Sequence, residues 1–305
     1  MIFPSLDRVK AIAPGYDIVP VYMEILSDVR TPISVLKALK QVSSHTYLLE
    51  SADNSNHWGR YSFLGYDPKI ELFCKNHKMT IKDGTTRTFE CSDPAAEIRN
   101  ILSQYKSPRL EELPTFTGGF VGYFACEYIR YIEPTLDFPT PDDDSAMVND
   151  VDLMLFDKVI AFDHYKNKIY LIANISTNDL ERNYNKAELE LKTLADLVIN
   201  GKEADVPKGI LKTEFTSEFT KDEFEAVVKK TQHYIKEGDI FQCVVSNRRE
   251  AEFEGSLLNA YRVLRTLNPS PYMFYLLCSC NCGNHGLAFD QSFIVFTSRY
   301  AIAND

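Results

Sequence analysis

The sequence has no stretch approaching the roughly 20 apolar residues that a membrane-spanning helix requires. Its opening segment, MIFPSLDRVKAIAPGYD, reaches a proline at position 4 and a charge by position 7. It therefore lacks the uninterrupted apolar core of a secretory signal. Lys and Arg form no cluster, and 33 basic residues stand against 43 acidic ones, for a formal net charge of -10. That field repels phosphate backbones and anionic lipid, so nucleic acid and membrane surfaces are not expected partners. Cys74, Cys91, Cys126 and Cys243 stand singly. They offer no disulfide framework, and a reducing, cytoplasmic setting is expected. Internal repeats, low-complexity blocks and a visible nucleophile triad are also missing. The histidines at 45, 57, 77, 164 and 233 stand apart and read as surface or packed residues. PDDD at 141–144 reads as a solvated acidic turn, since a divalent site needs spaced, converging ligands.

What is present is enough for a sizeable core: 305 residues, 45% of them hydrophobic. The first third is strand-rich. TYLLES (46–51), RYSFLGY (60–66), KIELFC (69–74) and KMTIKD (78–83) are β-prone runs divided by turn-forming residues, and hairpins are the simplest connection. SDPAAEIRNILSQYK follows as an amphipathic helix capped by Ser92 or Asp93. DLMLFDKVIAFDH and KIYLIANI flank a turn at YKN and predict an antiparallel pair. The charged, periodic stretch 177–199 predicts an exposed helix.

NGKEADVPKG (200–209) has the Gly, Pro and charge of a linker, which places a strand-rich domain at 1–200 and a linker at 201–212. A second, partial domain is expected at 213–277. Thr220 and Glu223 there form a capping box for a helix running to Gly238. DIFQCVVSNRREAEF is β-prone, SLLNAYRVLRTLN is a second amphipathic helix, and SPYMFYLL is the next strand. The expected class is α+β or α/β, with an antiparallel sheet and flanking helices at the start.

Three stretches are candidates for chemistry. YLLESAD (47–53) runs an apolar strand into a carboxylate and a hydroxyl, where Ser51 either caps a turn or faces a ligand. TGGFVGYFACEYIRYIE (117–133) carries Gly118, Gly119 and Gly122 without the strand-then-helix context of a phosphate loop, so tight sheet packing is the better reading. NPSPYM (268–273) sets two prolines around a serine, removing amide donors and leaving carbonyls that need partners. An incoming ammonium group could supply them, with Tyr272 and Met273 as an apolar wall; an ordinary helix-to-strand connection is the alternative.

LLESAD, WGRYSFLG, GGFVGYFACEYIR, EGDIFQCVVSNR and NPSPYM, in that order and spacing, resemble anthranilate synthase component I, the chorismate-using subunit of tryptophan biosynthesis. The resemblance covers about residues 5–277, with Cys243 and Asn247 departing from the commoner bulky aliphatic and Gln. Enzymes making aminodeoxychorismate, isochorismate or salicylate share the later motifs, whereas LLES followed by WGRYSFLG looks more like the anthranilate branch. The resemblance implies an allosteric L-tryptophan site lined by Ser51, Pro271, Tyr272 and Met273, with Glu50 beside them. It also implies a glutamine amidotransferase partner, and catalysis by a Gly-x-Ser-Pro-Glu segment, a histidine and magnesium-binding glutamates that follow NPSPYM in the family.

None of those later motifs occurs in this sequence, so the chain is expected to be a shortened, catalytically inactive version without magnesium ligands. The alternatives are a non-catalytic tryptophan-binding module, or a shortened aminodeoxychorismate or isochorismate synthase. Residues 278–305 contain no Lys and no Glu but hold three of the seven cysteines. Translation in a shifted frame produces such a switch. The other reading, zinc held by Cys278, Cys280, Cys282 and His285, suffers from Cys-x-Cys spacing, because paired structural thiolates usually sit two to four residues apart.

Overall fold

A computed structural model describes residues 1–51, 59–133, 135, 148–280, 283–289, 294–296 and 300–304, with side chains as far as Leu277. The chain begins with α1 (Leu6–Ile12), β1 (Ile18–Leu26), α2 (Pro32–Leu39), β2 (Thr46–Glu50) and β3 (Tyr61–Tyr66). Next come β4 (Ile70–Lys75), β5 (Lys78–Lys82), β6 (Thr86–Glu90), α3 (Pro94–Leu102), β7 (Gly119–Phe124) and α4 (Ile129–Ile132). β8 (Val151–Phe156), β9 (Lys158–Asp163), β10 (Lys168–Ser176) and α5 (Leu180–Asn200) complete the first 200 residues. Beyond them lie β11 (Ile210–Leu211), β12 (Thr216–Ser217), α6 (Lys221–Glu237), β13 (Arg248–Glu254), α7 (Leu258–Leu267) and β14 (Met273–Cys280). The last strands are β15 (Gly283–Phe289), β16 (Ile294–Phe296) and β17 (Tyr300–Asn304).

Among the described residues the strands form two antiparallel sheets. The larger runs β1-β10-β9-β3-β2-β14-β15-β16-β17-β13-β11, with β12 also on β13; the smaller runs β6-β5-β4-β8-β7. The architecture is mixed α+β, as the sequence pattern predicts. Strand β14 pairs with β2 on one side and β15 on the other, so one sheet spans the segment 201–212. Helices α1, α2, α5 and α7 cover one face of this sheet, where Val9, Leu36, Leu48, Leu64, Leu191 and Tyr261 share a core. The opposite face meets the smaller sheet through Tyr47, Val121, Met154, Phe156 and Leu276. Gly65, paired with Tyr47, is what admits that ring: a Cβ there would lie 2.2 Å from Tyr47 Cε1.

Local signals hold where they are strong. Thr220 and Glu223 bond each other's backbone N–H groups to start α6, and Gly238 ends it with φ 85°. Asp93, rather than Ser92, caps α3 by accepting from Ala96 N at 3.0 Å. The three-glycine stretch is a strand, not a ligand loop. A Cβ on Gly122 would lie 1.9 Å from Asp152 O, so β7 and β8 approach too closely for any side chain.

Three expectations are corrected. DLMLFDKVIAFDH is not one strand, because the chain changes sheet at Asp157: β8 pairs β4 and β7, whereas β9 pairs β3 and β10. Both strands are buried on both faces, so no polar alternation marks the break. The helix expected to be exposed over 177–199, α5, buries Tyr184, Ala187, Leu191, Leu194, Ala195 and Val198 as a stripe against the larger sheet. The β-prone run after Gly238 is a strand only from Arg248; Phe241 and Val244 before it are exposed and unladdered. Its end is held instead by Asn247, whose side chain accepts from Phe219 N at 3.0 Å and donates to Phe219 O at 3.1 Å.

Candidate functional site

The register of β2 against β14 pairs Glu50 with Met273 and Leu49 with Phe274. Ser51, leaving β2, therefore lies beside the Asn268–Tyr272 turn that leads into β14. The turn closes α7 with Asn268 N donating to Leu264 O at 2.9 Å. Pro269 and Pro271 supply no amide donors; the buried Ser270 hydroxyl accepts from Tyr272 N at 3.3 Å and donates to Tyr272 O at 3.5 Å. Met273 is buried and Pro271 half-buried, whereas the Tyr272 side chain stands 74% exposed.

Strand alternation sends successive β2 side chains to opposite faces. Leu48 belongs to the helix-side core and Tyr47 to the core between the sheets. Glu50 follows Leu48: it is 7% exposed and turns to α7, where Tyr261 Oη donates to its Oε1 at 2.5 Å and Arg265 Nε lies 2.6 Å from the same oxygen. Burial drives the Glu50 carboxyl above its ordinary pKa, and the Tyr261 hydrogen bond and Arg265 charge oppose that only in part. Burial, reinforced by Glu50, raises the Tyr261 hydroxyl as well. Ser51, one step further, follows Leu49 toward the other face. Its Oγ is buried and has no hydrogen-bond partner among the described residues.

Beside Glu50 on the neighbouring strand is Ser62, its register partner, whose Oγ lies 2.8 Å from His164 Nε2. Burial holds the His164 imidazole below its ordinary pKa, against the pull of Asp163 and with Arg265 adding to the depression. Arg60 and Asp163 anchor this corner: Nη2 to Oδ2 is 2.9 Å and Nε to Oδ1 3.2 Å, a two-pronged pair.

The structure thus gathers Glu50, Ser51, Pro271, Tyr272 and Met273 at one end of the β2–β14 pair, divided between its two faces. Sequence reasoning missed Tyr261, Arg265, Ser62 and Ser270, and it read His164 as a lone surface or packed residue. The signal for Tyr261 and Arg265 was their i, i+4 spacing on a strongly amphipathic helix, which puts both on one face. Trp58, Asp53, His57 and the PDDD turn lie outside the described residues, and the side chains of Cys278, Cys280, Cys282 and His285 lie outside the described side chains. Among the described residues no group of three or more His, Cys, Asp or Glu converges. The side chains of Cys74, Cys91, Cys126 and Cys243 are free thiols. No helix among the described residues is long and apolar enough to cross a membrane.

A two-sheet α+β body whose β14 is entered from a helix through a proline-bracketed turn is the setting of a known class: residues 45–282 match the family of chorismate binding enzymes, and the chain belongs to that family. Relatives of this chain include anthranilate synthases. Anthranilate synthase component 1 of Acetivibrio thermocellus is 37% identical over 286 residues, spanning 90% of this chain and 57% of that protein. The protein of the same name from Aquifex aeolicus is 36% identical over 283 residues, spanning 89% of this chain and 56% of its own. The crystal structure of anthranilate synthase component I from Streptococcus pneumoniae TIGR4 superposes with a TM-score of 0.52 at 25% identity, covering 82% of this chain and 54% of that one. The chain spans little more than half the length of the relatives it matches.

Proposed function

We propose that these residues are the regulatory portion, 1–200, and the first elements, 213–277, of the chorismate-binding portion of an anthranilate synthase component I. In this reading L-tryptophan binds at the end of the β2–β14 pair as a feedback ligand. The complete reaction adds ammonia from a glutamine amidotransferase subunit to chorismate, eliminates pyruvate and aromatises the ring. In this reading the 305 residues alone make no anthranilate, since the sequence has no Gly-x-Ser-Pro-Glu segment.

The observation that carries the tryptophan reading is the buried Ser51 hydroxyl, without a partner among the described residues, beside a turn short of amide donors that presents Tyr272, with Met273 turned to the helix-side core behind it. A buried hydroxyl without a partner costs free energy unless something meets it. An amino acid bearing a flat aromatic side chain offers both the polar head and the apolar area that this corner presents.

Thermal unfolding with and without L-tryptophan tests the reading. At a concentration 100 times Kd, linkage stabilises the folded state by about 2.7 kcal/mol, a rise of several degrees in Tm. Ser51→Ala and Met273→Ala are expected to remove that rise. An unchanged wild-type Tm at saturating tryptophan overturns the ligand assignment, and a chorismate- and magnesium-dependent rise of anthranilate fluorescence from the purified chain overturns its inactivity.

A further inference from the structure

Glu50 stands next to Ser51 in sequence, yet its carboxylate is occupied from the opposite side of the sheet. Tyr261 is fully buried and spends its hydroxyl on Glu50, and Arg265 forms an ion pair with the same oxygen, its Nε 2.6 Å away but not hydrogen-bonded to it. Both residues sit on α7, whose last turn runs through Asn268 into the turn that presents Tyr272 and into β14. The Tyr261 ring also packs on Tyr275 of β14, with centroids 5.5 Å apart. Helix α7 is therefore tied to β2 by polar contacts and to β14 by an aromatic one.

We propose that Glu50 is a positioning residue, not a ligand contact: with Tyr261 and Arg265 it clamps α7 onto the β2–β14 pair, and the clamp couples events on the Ser51 and Tyr272 side to α7. The coupling half rests on the tryptophan reading above; the clamp itself does not. A ligand seated against Ser51 and Tyr272 presses on the short turn between α7 and β14. With the clamp intact, the helix moves or stiffens with that turn. Without it, the turn is free to adjust while α7 does not respond.

Backbone hydrogen exchange of the full 305-residue chain separates the possibilities. Tyr261→Phe keeps the ring packing and removes one hydrogen bond to a charged group, so α7 amides are expected to exchange roughly tenfold to a hundredfold faster without ligand, while α5 amides stay as in wild type. Arg265→Gln is expected to act in the same direction and Arg265→Lys to restore part of the protection. Unchanged α7 exchange in both Tyr261→Phe and Arg265→Gln overturns the clamp.

With L-tryptophan added, wild type is expected to gain protection over 258–272. Glu50→Gln and Tyr261→Phe should bind within about threefold of wild-type affinity but lose the added protection in α7. Loss of binding in Glu50→Gln as complete as in Ser51→Ala, with Tyr261→Phe unaffected, makes Glu50 a ligand contact and refutes the positioning role. If wild type binds no tryptophan, the functional reading fails, whereas the ligand-free exchange still decides the clamp.

Discussion

Replacing Asp163 is the sharpest test of how the corner behind the site is held. Its side chain has no exposure, while its partner Arg60 is 42% exposed. Besides the two-pronged pair with Arg60, the carboxylate accepts from Tyr165 N at 3.1 Å and Lys166 N at 3.0 Å, which closes the turn between β9 and β10. Each hydrogen bond to a charged group contributes about 1.5–3 kcal/mol when it stays dry. Arg60 and the turn amides regain water once the carboxylate is gone, so the sum must be discounted heavily. Asp163→Ala is expected to cost about 2–3 kcal/mol, and Asp163→Asn, which keeps one acceptor for the turn, about half of that.

The pH dependence supplies the sign. Burial alone raises the Asp163 carboxyl, but the Arg60 hydrogen bonds and the turn amides outweigh it and hold the folded pKa below its ordinary value. The stabilisation is then fully present above the unfolded carboxylate pKa of about 3.9, and it is lost as pH falls through the lower folded value. Urea unfolding of wild type and Asp163→Asn at pH 7, repeated at stepwise lower pH down to 3, checks this: the midpoints should differ at pH 7 and converge as pH drops. A difference that persists or widens in acid refutes the reasoning, as does an Asn variant indistinguishable from wild type at pH 7.

Other outcomes follow from close packing and from Ser51. Gly122→Ala places a methyl 1.9 Å from Asp152 O and 2.8 Å from Leu153 Cα, which are backbone atoms of the paired strand that cannot swing aside. It should cost about 3 kcal/mol or more, read as a large fall in Tm or as insoluble protein, and a near-wild-type Tm would show that β7 and β8 separate easily. Ser51→Ala, which removes a buried hydroxyl without a partner among the described residues, is expected to leave ligand-free stability unchanged or raise it by up to about 1 kcal/mol. A fall of 1 kcal/mol or more in urea unfolding of ligand-free protein would mean that the hydroxyl already has a partner.

What the sequence disclosed depended on how local each cause is. The Thr220 and Glu223 capping box, the left-handed Gly238 and the β4–β5 hairpin are set by contacts a few residues apart, and the chain declares them, whereas β3 and β4, where a hairpin is the simplest expectation, belong to different sheets. The change of sheet at Asp157 is different, because residues buried on both sides look alike whichever sheet owns them. Helix α5 misled for another reason. Its charged residues dominate the composition while a narrow stripe from Tyr184 to Val198 carries the packing. The bond from Tyr261 to Glu50 joins residues 211 apart, and no periodicity within either segment encodes which face of which strand a helix will cover.

The division of Glu50 and Ser51 between two faces also bears on how a signal could leave this corner. A slip of β14 against β2 by one residue would exchange the buried Met273 with the exposed Tyr272 and turn every later side chain of the strand to the wrong core. With β2 on one side and β15 on the other, β14 has no free edge along which such a slip would cost little. The strands therefore respond to a ligand as one stiff unit. Helix α7 is the softer element: it has two buried side chains, Leu258 and Tyr261, and Val263 and Leu267 are exposed. Its attachment near the site reduces to the Tyr261 ring and the Glu50 carboxylate. A regulatory movement beginning at Ser51 or Tyr272 is for that reason expected to leave through α7, and the contacts it must strain first are those from Tyr261 and Arg265 to Glu50.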